Sequence, residues 1–183
     1  PVGYLIIALG VAGVLVALAR LVFLAIAGRR MRRQLAAPER PVADNPLGRV
    51  LGIEAGAPDE PVEVLESRLD EAILREVPAL ERGRSLVRLL AAVAPLLGLL
   101  GTVTGMIETF QTISVFGTGD PRLMAGGISQ ALVTTMLGLA VAVPLLFLHA
   151  LMASRSRALV AILDQQSAGI LAARLEGDAA GGR

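Results

Sequence analysis

Three stretches of this chain are apolar over more than twenty residues each. The first runs from Val2 to Gly28 and is interrupted only by Arg20, the second from Leu89 to about Phe116, and the third from Leu123 to Leu148. About 20 helical residues cross the hydrocarbon core of a bilayer. Because lipid offers no hydrogen bonds to the backbone, an open chain can cross it only as a helix. The pattern therefore predicts three membrane-spanning helices.

The arginines beside these stretches indicate how the chain is oriented. They are concentrated after span one (Arg29, Arg30, Arg32, Arg33), before span two (Arg82, Arg84, Arg88) and after span three (Arg155, Arg157). The short loop between spans two and three holds only Arg122, beside Asp120. Since cytoplasmic flanks carry the positive excess, the N-terminus should lie outside and the C-terminus inside. Arg20 falls near the inner boundary, where it can snorkel to the interface in a structural role.

The segment between spans one and two has two parts that differ in their sequence pattern. The stretch 34–61 is rich in Pro and Gly and predicts an irregular linker. From there the apolar residues Val62, Leu65, Leu69, Ile73 and Val77 recur at helical spacing among charged ones. We expect an amphipathic helix that bends at Pro78, continues into span two and buries its apolar stripe against another helix of the same or a neighbouring chain.

These patterns define six segments. They are 1–28, span one; 29–85, a cytoplasmic linker and amphipathic helix; 86–116, span two; 117–122, an outer loop; 123–150, span three; and 151–183, a cytoplasmic C-terminal helix and tail. The tail from Gly177 to Arg183 is predicted to be disordered. Span one is a poor signal peptide, because it is too long and no basic residues precede it. The chain begins at Pro1 and not at Met, so we expect an upstream segment.

Composition supports a membrane class and argues against catalysis. The chain is 54% apolar and carries one His, no Cys and a net charge of +1. It therefore has no thiolate metal site, and we find no phosphate-binding glycine loop and no paired carboxylates on a soluble domain. The arginines are interspersed with acids, which argues against a nucleic-acid surface. We predict no enzyme activity, no cofactor, no metal and no nucleic-acid partner.

Spans two and three each carry a face of small and polar residues. Helical periodicity places the first set within about 100° and the second within about 140°. The sets are Gly98, Gly101, Thr102, Gly105, Thr109 and Thr112 in span two, and Gly127, Gln130, Ala131, Thr134, Thr135, Gly138 and Ala142 in span three. The five glycines can serve close helix packing. The threonine hydroxyls can satisfy themselves on their own helix or offer hydrogen bonds to water or an ion, so packing and a polar path both remain open.

Glu108 is the only acid inside any span. A carboxylate facing lipid at that depth costs at least about 2.5 kcal/mol, so its side chain should face protein or water. It falls at the edge of the small polar face of span two. The alternatives are a neutral, hydrogen-bonded structural Glu, or one near enough to the outer surface to be solvated. His149 lies where span three meets the cytoplasm, where an interfacial role is a simpler interpretation than a proton relay.

Two runs of the sequence resemble a known family. They are APLLGLLGTVTGM, at Ala94 to Met106, and GGISQALVTTMLGLAVAVPLLF, at Gly126 to Phe147. Together they are similar to the signature of the MotA/TolQ/ExbB proton channel family, and three spans fit the ExbB and TolQ branch better than the four-span MotA branch. PLGRVL at Pro46 to Leu51, with GMIETFQ, is most similar to ExbB variants that carry an additional N-terminal periplasmic region.

The resemblance implies an architecture, partners and a role. It implies an all-α membrane protein of the bacterial inner membrane, with its N-terminus periplasmic, long helices extending into the cytoplasm, and five copies forming a barrel around an ExbD- or TolR-like partner. That partner would bring a proton-carrying aspartate, and the motor would energise a TonB-like protein for nutrient import, such as iron-siderophore uptake. A TolQ-like role in envelope maintenance and a non-conducting scaffold are the alternatives. The resemblance also implies that Thr102 and Thr135 face a central pore.

One position departs from the family pattern. The family places a glutamate in span three where this chain has Gln130. Suppose that Thr102 and Thr135 lie at the same depth in the membrane. Glu108 then lies about 9 Å outward of Thr102, and Gln130 lies about 7.5 Å outward of Thr135. We therefore expect that the acid has moved to span two, with Gln130 as its hydrogen-bond partner and Thr109 and Thr134 on the same path.

Overall fold

The computed structural model describes residues 2–38, 40–58, 60–117 and 121–181, and within these ranges the chain is helical with no strand. The helices are α1 (Val2–Leu35), α2 (Pro46–Ala55), α3 (Val62–Glu81), α4 (Arg84–Phe116) and α5 (Pro121–Gly181). Three helical stretches, which include α1, α4 and α5, are long and apolar enough to cross a membrane. The all-helical fold with three spans is thus confirmed, while the pentamer and the cytoplasmic placement stay predictions. Residues 118–120 of the predicted loop at 117–122 lie outside the described residues, and Pro121 already belongs to α5.

The chain divides into two compact units. The first comprises Pro1–Ala19 and Gly83–Leu151, and the second comprises Arg20–Arg82 and Met152–Arg183. The first unit contains the first half of α1 with α4 and the first half of α5. The second contains the end of α1, then α2, α3 and the second half of α5. Both α1 and α5 are continuous helices that contribute to each unit.

In the first unit, one face of α1 packs against the other two helices. A Cβ added at Gly10 would lie 2.8 Å from both γ-methyl groups of Val141, and one at Gly13 would lie 2.9 Å from Leu145 and 3.2 Å from Leu90. The glycine face of α1 therefore lies against α4 and α5 and not against lipid. Glycines spaced along one side allow the neighbouring side chains to approach the helix backbone.

The second unit has its own apolar core, to which α1, α2, α3 and α5 all contribute. Its buried members are Leu24, Ala27, Met31, Leu47, Val50, Leu51, Leu65, Leu69, Ile73, Leu80, Leu159, Leu163 and Ile170. The α3 stripe predicted from helical spacing supplies three of them, and Val77 packs against the core. The predicted apolar stripe thus lies on α3 and is buried by helices of the same chain.

The predicted irregular linker contains a helix, α2, which the Pro and Gly content concealed. Asn45 caps it: the Asn45 side chain accepts a hydrogen bond from the Gly48 N–H at 2.9 Å, and Pro46 occupies the first turn. Asn at the N-cap followed by Pro is a recognised start of a helix. Leu47 and Val50 are fully buried, so this helix is held by the core.

The rest of the linker is organised around two buried amides. The Gln34 amide NH₂ donates to the carbonyls of Ala37 and Arg40, and the Gln34 amide oxygen accepts from the Val42 N–H at 3.0 Å. Asn45 donates to the Val42 carbonyl at 3.0 Å. Both side chains are at most 5% exposed. These hydrogen bonds satisfy backbone groups of the turn between α1 and α2.

The expected single helix from the amphipathic segment into span two is broken. Pro78 lies inside α3, as predicted, but α3 ends at Glu81 and α4 begins at Arg84. Gly83, between them, has φ of 82°, a conformation that glycine adopts without strain. Arg20 donates to the Ala79 carbonyl at 2.5 Å, one of the terminal carbonyls of α3 that lack a helical partner. Arg20 therefore caps α3.

A further expectation concerns the end of the chain. The tail predicted to be disordered from Gly177 is helical as far as Gly181. Its alanines are strong helix formers, which favours continuation of α5. Residues 182–183 lie outside the described residues.

Candidate functional site

The polar faces of α4 and α5 pack directly onto one another. A Cβ added at Gly98 would lie 3.1 Å from the Thr134 carbonyl oxygen, and one at Gly138 would lie 2.7 Å from the Ala94 carbonyl oxygen. The same close approach recurs at the other three glycines singled out in the sequence, which face Thr134 (Gly101), Ala131 (Gly105) and Thr109 (Gly127). Since the residue numbers run in opposite directions, the two helices are antiparallel. Within one chain, the glycines serve helix packing.

Two of the predicted path threonines belong to this packing contact. Thr109 is only 5% exposed, and its hydroxyl donates to the Gly105 carbonyl at 2.8 Å while facing Gly127. The Thr134 hydroxyl donates to the Ala131 carbonyl at 2.6 Å and faces Gly101. Both hydroxyls thus satisfy their donors on their own helices. Thr109 is enclosed by its own chain, so it has no surface to offer a path.

Thr102 and Thr135, the threonines that the resemblance implies for a pore, are both half-buried. The Thr135 hydroxyl donates across the helix pair to the Gly98 carbonyl at 3.0 Å. The Thr102 hydroxyl donates to the Leu99 carbonyl at 2.6 Å, on its own helix. In each case the oxygen keeps lone pairs that can accept a hydrogen bond from water.

Glu108 and Gln130 line one groove of about 470 Å³ on the first unit. Three helices form its walls: α1 with Val2, Gly3, Tyr4 and Ile7, α4 with Gly101, Thr104, Gly105 and Glu108, and α5 with Gln130, Val133, Thr134 and Leu137. Both Glu108 and Gln130 are exposed in the single chain. The groove therefore brings the one acid of the spans together with an amide and three hydroxyls, surrounded by apolar walls.

The register of the helix pair differs from the one we assumed. Thr135 is level with Gly98, because they share a hydrogen bond, and is not level with Thr102. Gly105 faces Ala131 and Thr109 faces Gly127. Gln130 is therefore near the level of Gly105, and Glu108 lies about 4 Å further along the axis. The side chains reach the same groove because both are long.

Sequence reasoning missed one wall of this groove. Tyr4, the only tyrosine of the chain, and Gly3 come from α1, which the apolar pattern predicts only as a membrane span. Thr104 was also missed; its hydroxyl donates to the Leu100 carbonyl at 3.0 Å. The Tyr4 hydroxyl was a usable signal, because it is the one hydrogen-bonding side chain in the first half of span one.

His149 lies far from this groove along α5. Its Nδ1 is 3.1 Å from the Arg84 carbonyl oxygen, which can only accept, so Nδ1 carries the proton in that hydrogen bond. Nineteen residues separate it from Gln130, which is about 28 Å along a helix. This contact ties the start of α4 to α5 and favours the interfacial interpretation over a relay.

The described residues define a class of protein before any comparison is made. They form a multi-pass helical membrane protein whose spanning segments carry one acid, Glu108, beside neutral hydrogen-bonding side chains. Among these residues, no three His, Asp or Glu side chains are grouped as metal ligands. Such a groove can bind and release a proton at Glu108 and orient water through its hydroxyls and amide.

Comparison with known sequences identifies the family within that class. The model of the MotA/TolQ/ExbB proton channel family matches residues 36–165, and the chain belongs to this family. An ExbB homolog of Methanothermobacter thermautotrophicus is 41% identical over 91 residues, which are 50% of this chain and 32% of that protein. The biopolymer transport protein ExbB of Xanthomonas campestris is 36% identical over 85 residues, 46% of this chain and 34% of that protein.

Relatives of the TolQ type are also found. The Tol-Pal system protein TolQ of Haemophilus influenzae is 30% identical over 98 residues, 54% of this chain and 43% of that protein. In each of these three pairs, the match spans less than half of the relative's own length. The family and the membrane class are thus established, and the role of the whole protein is a matter for proposal.

Proposed function

We propose that this chain is the ExbB-like subunit of an inner-membrane motor driven by the proton gradient. It conducts protons together with an ExbD-like partner and energises a TonB-like protein for outer-membrane nutrient import. In this proposal five copies surround the partner, and the N-terminus is periplasmic. Family membership, the ExbB relatives and the arginine distribution support it.

The observation that carries the proposal is the shared groove of Glu108 and Gln130. Glu108 is the group that takes up and releases the proton, because the groove's other polar side chains are an amide, two aliphatic hydroxyls and a phenol. Gln130 cannot titrate, but its amide can donate to the carboxylate or accept from the carboxylic acid. The amide therefore serves both protonation states of its neighbour.

The threonines have a separate part in this proposal. Thr102 and Thr135 use their donors within the helix pair and retain acceptor lone pairs. They hold water on the face that meets the partner, while Thr134 and Thr104 hold water in the groove. Thr109 is left to packing, because it is enclosed.

Proton flux into liposomes tests the role of Glu108. The chain is reconstituted with its ExbD-like partner, and acidification of an internal pH dye is followed after a gradient is imposed. We expect Glu108→Gln to lower the flux at least about a hundredfold, the lower range for a lost proton-transfer group. Glu108→Asp should restore part of it, and Gln130→Ala should lose less than Glu108→Gln.

The matched control is Gln111→Ala. Gln111 is exposed on the same helix, one turn beyond the acid, and is not part of the groove wall. Unchanged flux in Glu108→Gln would refute the assignment of the proton site. Absence of flux in the wild-type complex would instead support a non-conducting scaffold.

A TolQ-like role in envelope maintenance is the second candidate, favoured by the TolQ relatives. Both roles use the same proton site, so flux does not separate them. Deletion in the native host does: an ExbB-like role predicts loss of energised uptake with an intact envelope. Detergent sensitivity and leakage of periplasmic proteins with normal uptake would favour the TolQ-like role.

A further inference from the structure

The end of α1 carries a concentrated positive charge. Arg29, Arg30, Arg32 and Arg33 occupy its last two turns, and all four are exposed. The helix contains no Asp or Glu along its whole length. The negative end of the helix dipole offsets only a fraction of this charge.

Three other arginines of the second unit are paired with nearby acids. The pairs are Arg49–Glu76 at 2.6 Å, Arg68–Glu60 at 2.9 Å and Arg75–Glu71 at 2.7 Å. Arg30 has a looser pair with Asp44 at 3.8 Å. Among the residues that the structure describes, no carboxylate lies within ion-pair distance of Arg29, Arg32 or Arg33. Their charge is available to an external anion.

Two of these arginines continue an exposed apolar stripe. At 100° per residue, Val22, Ile26, Arg29 and Arg33 fall within about 60° of one another. Val22 is 58% exposed and Ile26 is 45% exposed. The stripe extends about 16 Å along the helix axis and changes from apolar to basic after Ile26. An anionic phospholipid would match this order, because its apolar acyl chain is followed by a negatively charged headgroup.

We propose that Val22, Ile26, Arg29 and Arg33 form a binding site for an anionic phospholipid. Arg29 and Arg33 bind the phosphate, and Val22 and Ile26 contact the acyl chain. A guanidinium suits a phosphate because its donors form paired hydrogen bonds with the phosphate oxygens. Basic clusters beside a membrane span favour anionic lipids.

The observations favour a lipid over two other occupants. A free phosphate would leave the apolar half of the stripe uncovered. A second copy packed in parallel through the same stripe would place Arg29 and Arg33 against their own copies, and this like-charge contact is unfavourable. The site is independent of the proton groove, so it stands or fails apart from the proposed function.

Lipid retention measured on the purified full-length chain tests the site. The protein in a neutral detergent is mixed with phosphatidylglycerol or phosphatidylcholine, and bound lipid is counted by native mass spectrometry. We expect phosphatidylglycerol to bind and phosphatidylcholine to bind much more weakly. Each arginine near an anionic lipid is worth about fivefold in binding, so Arg29→Gln with Arg33→Gln should lose about 25-fold.

The matched control is Arg68→Gln with Arg75→Gln, which removes the same charge from α3, where each arginine has an acidic partner. It should keep wild-type lipid binding. Equal loss in this control would overturn the site, as would full retention in the Arg29 and Arg33 variant. Displacement of the lipid by millimolar glycerol 3-phosphate would show a phosphate site only. A changed oligomer size in the Arg29 and Arg33 variant would show that a second copy covers the stripe; either result contradicts the proposal.

Discussion

A single methyl group added at Gly138 probes how closely α4 and α5 approach. The new Cβ would lie 2.7 Å from the Ala94 carbonyl oxygen and 3.0 Å from the Gly98 Cα. Both neighbours are backbone atoms, so neither can rotate away. Carbon atoms pack best at about 3.5 Å, so the helices must separate by about 0.5 Å at this point.

The size of the effect follows from two opposing terms. Overpacking of a tight contact costs about 1–3 kcal/mol. Replacing Gly by Ala inside a helix returns about 1 kcal/mol of helix propensity. At Gly126, on the same helix, an added Cβ meets no neighbour within 4 Å. Gly126→Ala therefore gains helix propensity without the cost of overpacking. We expect Gly126→Ala to be more stable than Gly138→Ala by about 1–3 kcal/mol.

Unfolding by sodium dodecyl sulfate in mixed micelles measures this difference. The chain contains no cysteine, so a donor and acceptor dye pair can be attached at Leu86→Cys and Leu151→Cys. Both side chains are exposed, on α4 and α5 respectively. Energy transfer between the dyes then reports separation of the helix pair. Equal transition midpoints for Gly138→Ala and Gly126→Ala would refute the close approach described here.

Two further predictions concern the second unit. Gly48→Ala should destabilise it by at least about 2 kcal/mol, because the added Cβ would overlap the Val42 carbonyl. The control is Gly52→Ala on the same helix, whose added Cβ meets no neighbour within 4 Å. Thermal unfolding followed by circular dichroism compares the two variants, and similar midpoints would contradict the placement of the linker. Arg20→Gln should cost about 1.5 kcal/mol by removing a charged donor from the Ala79 carbonyl, with partial recovery in Arg20→Lys. An unchanged midpoint in Arg20→Gln would show that this cap contributes nothing.

The three spans and the amphipathic helix could be predicted because each depends on a local pattern. A run of apolar residues longer than the hydrocarbon core has one stable solution, a helix across it. The spacing of Leu65, Leu69 and Ile73 places them on one face of α3, and that face is buried. In both cases the sequence repeats its signal over several turns.

Helix α2 was missed because its signal is short. The content of Pro and Gly across residues 34–61 outweighed ten residues of helix, although Asn45 and Pro46 mark its start. Its apolar side chains become buried only because α1, α3 and α5 surround them. Tertiary packing of this kind cannot be read from a local window.

The candidate site was predictable in part. Glu108 stands out as the one acid in the spans, and Gln130 stands out against the family pattern. The wall formed by α1 was missed, because an apolar helix satisfies a lipid neighbour and a protein neighbour equally well, and only the Tyr4 hydroxyl pointed to a protein neighbour. The small and polar residues of α4 and α5 were compatible with helix packing and with a polar path. The contact of Thr109 with Gly127 shows that these two residues pack against each other.

The buried amides of Gln34 and Asn45 have a consequence for a protein of a proton channel family. They hold the turn between α1 and α2 through hydrogen bonds to backbone groups. An amide neither gains nor loses a proton at any pH that a cell meets, unlike a carboxylate or an imidazole. The hydrogen bonds that hold this turn should therefore persist when the local pH changes.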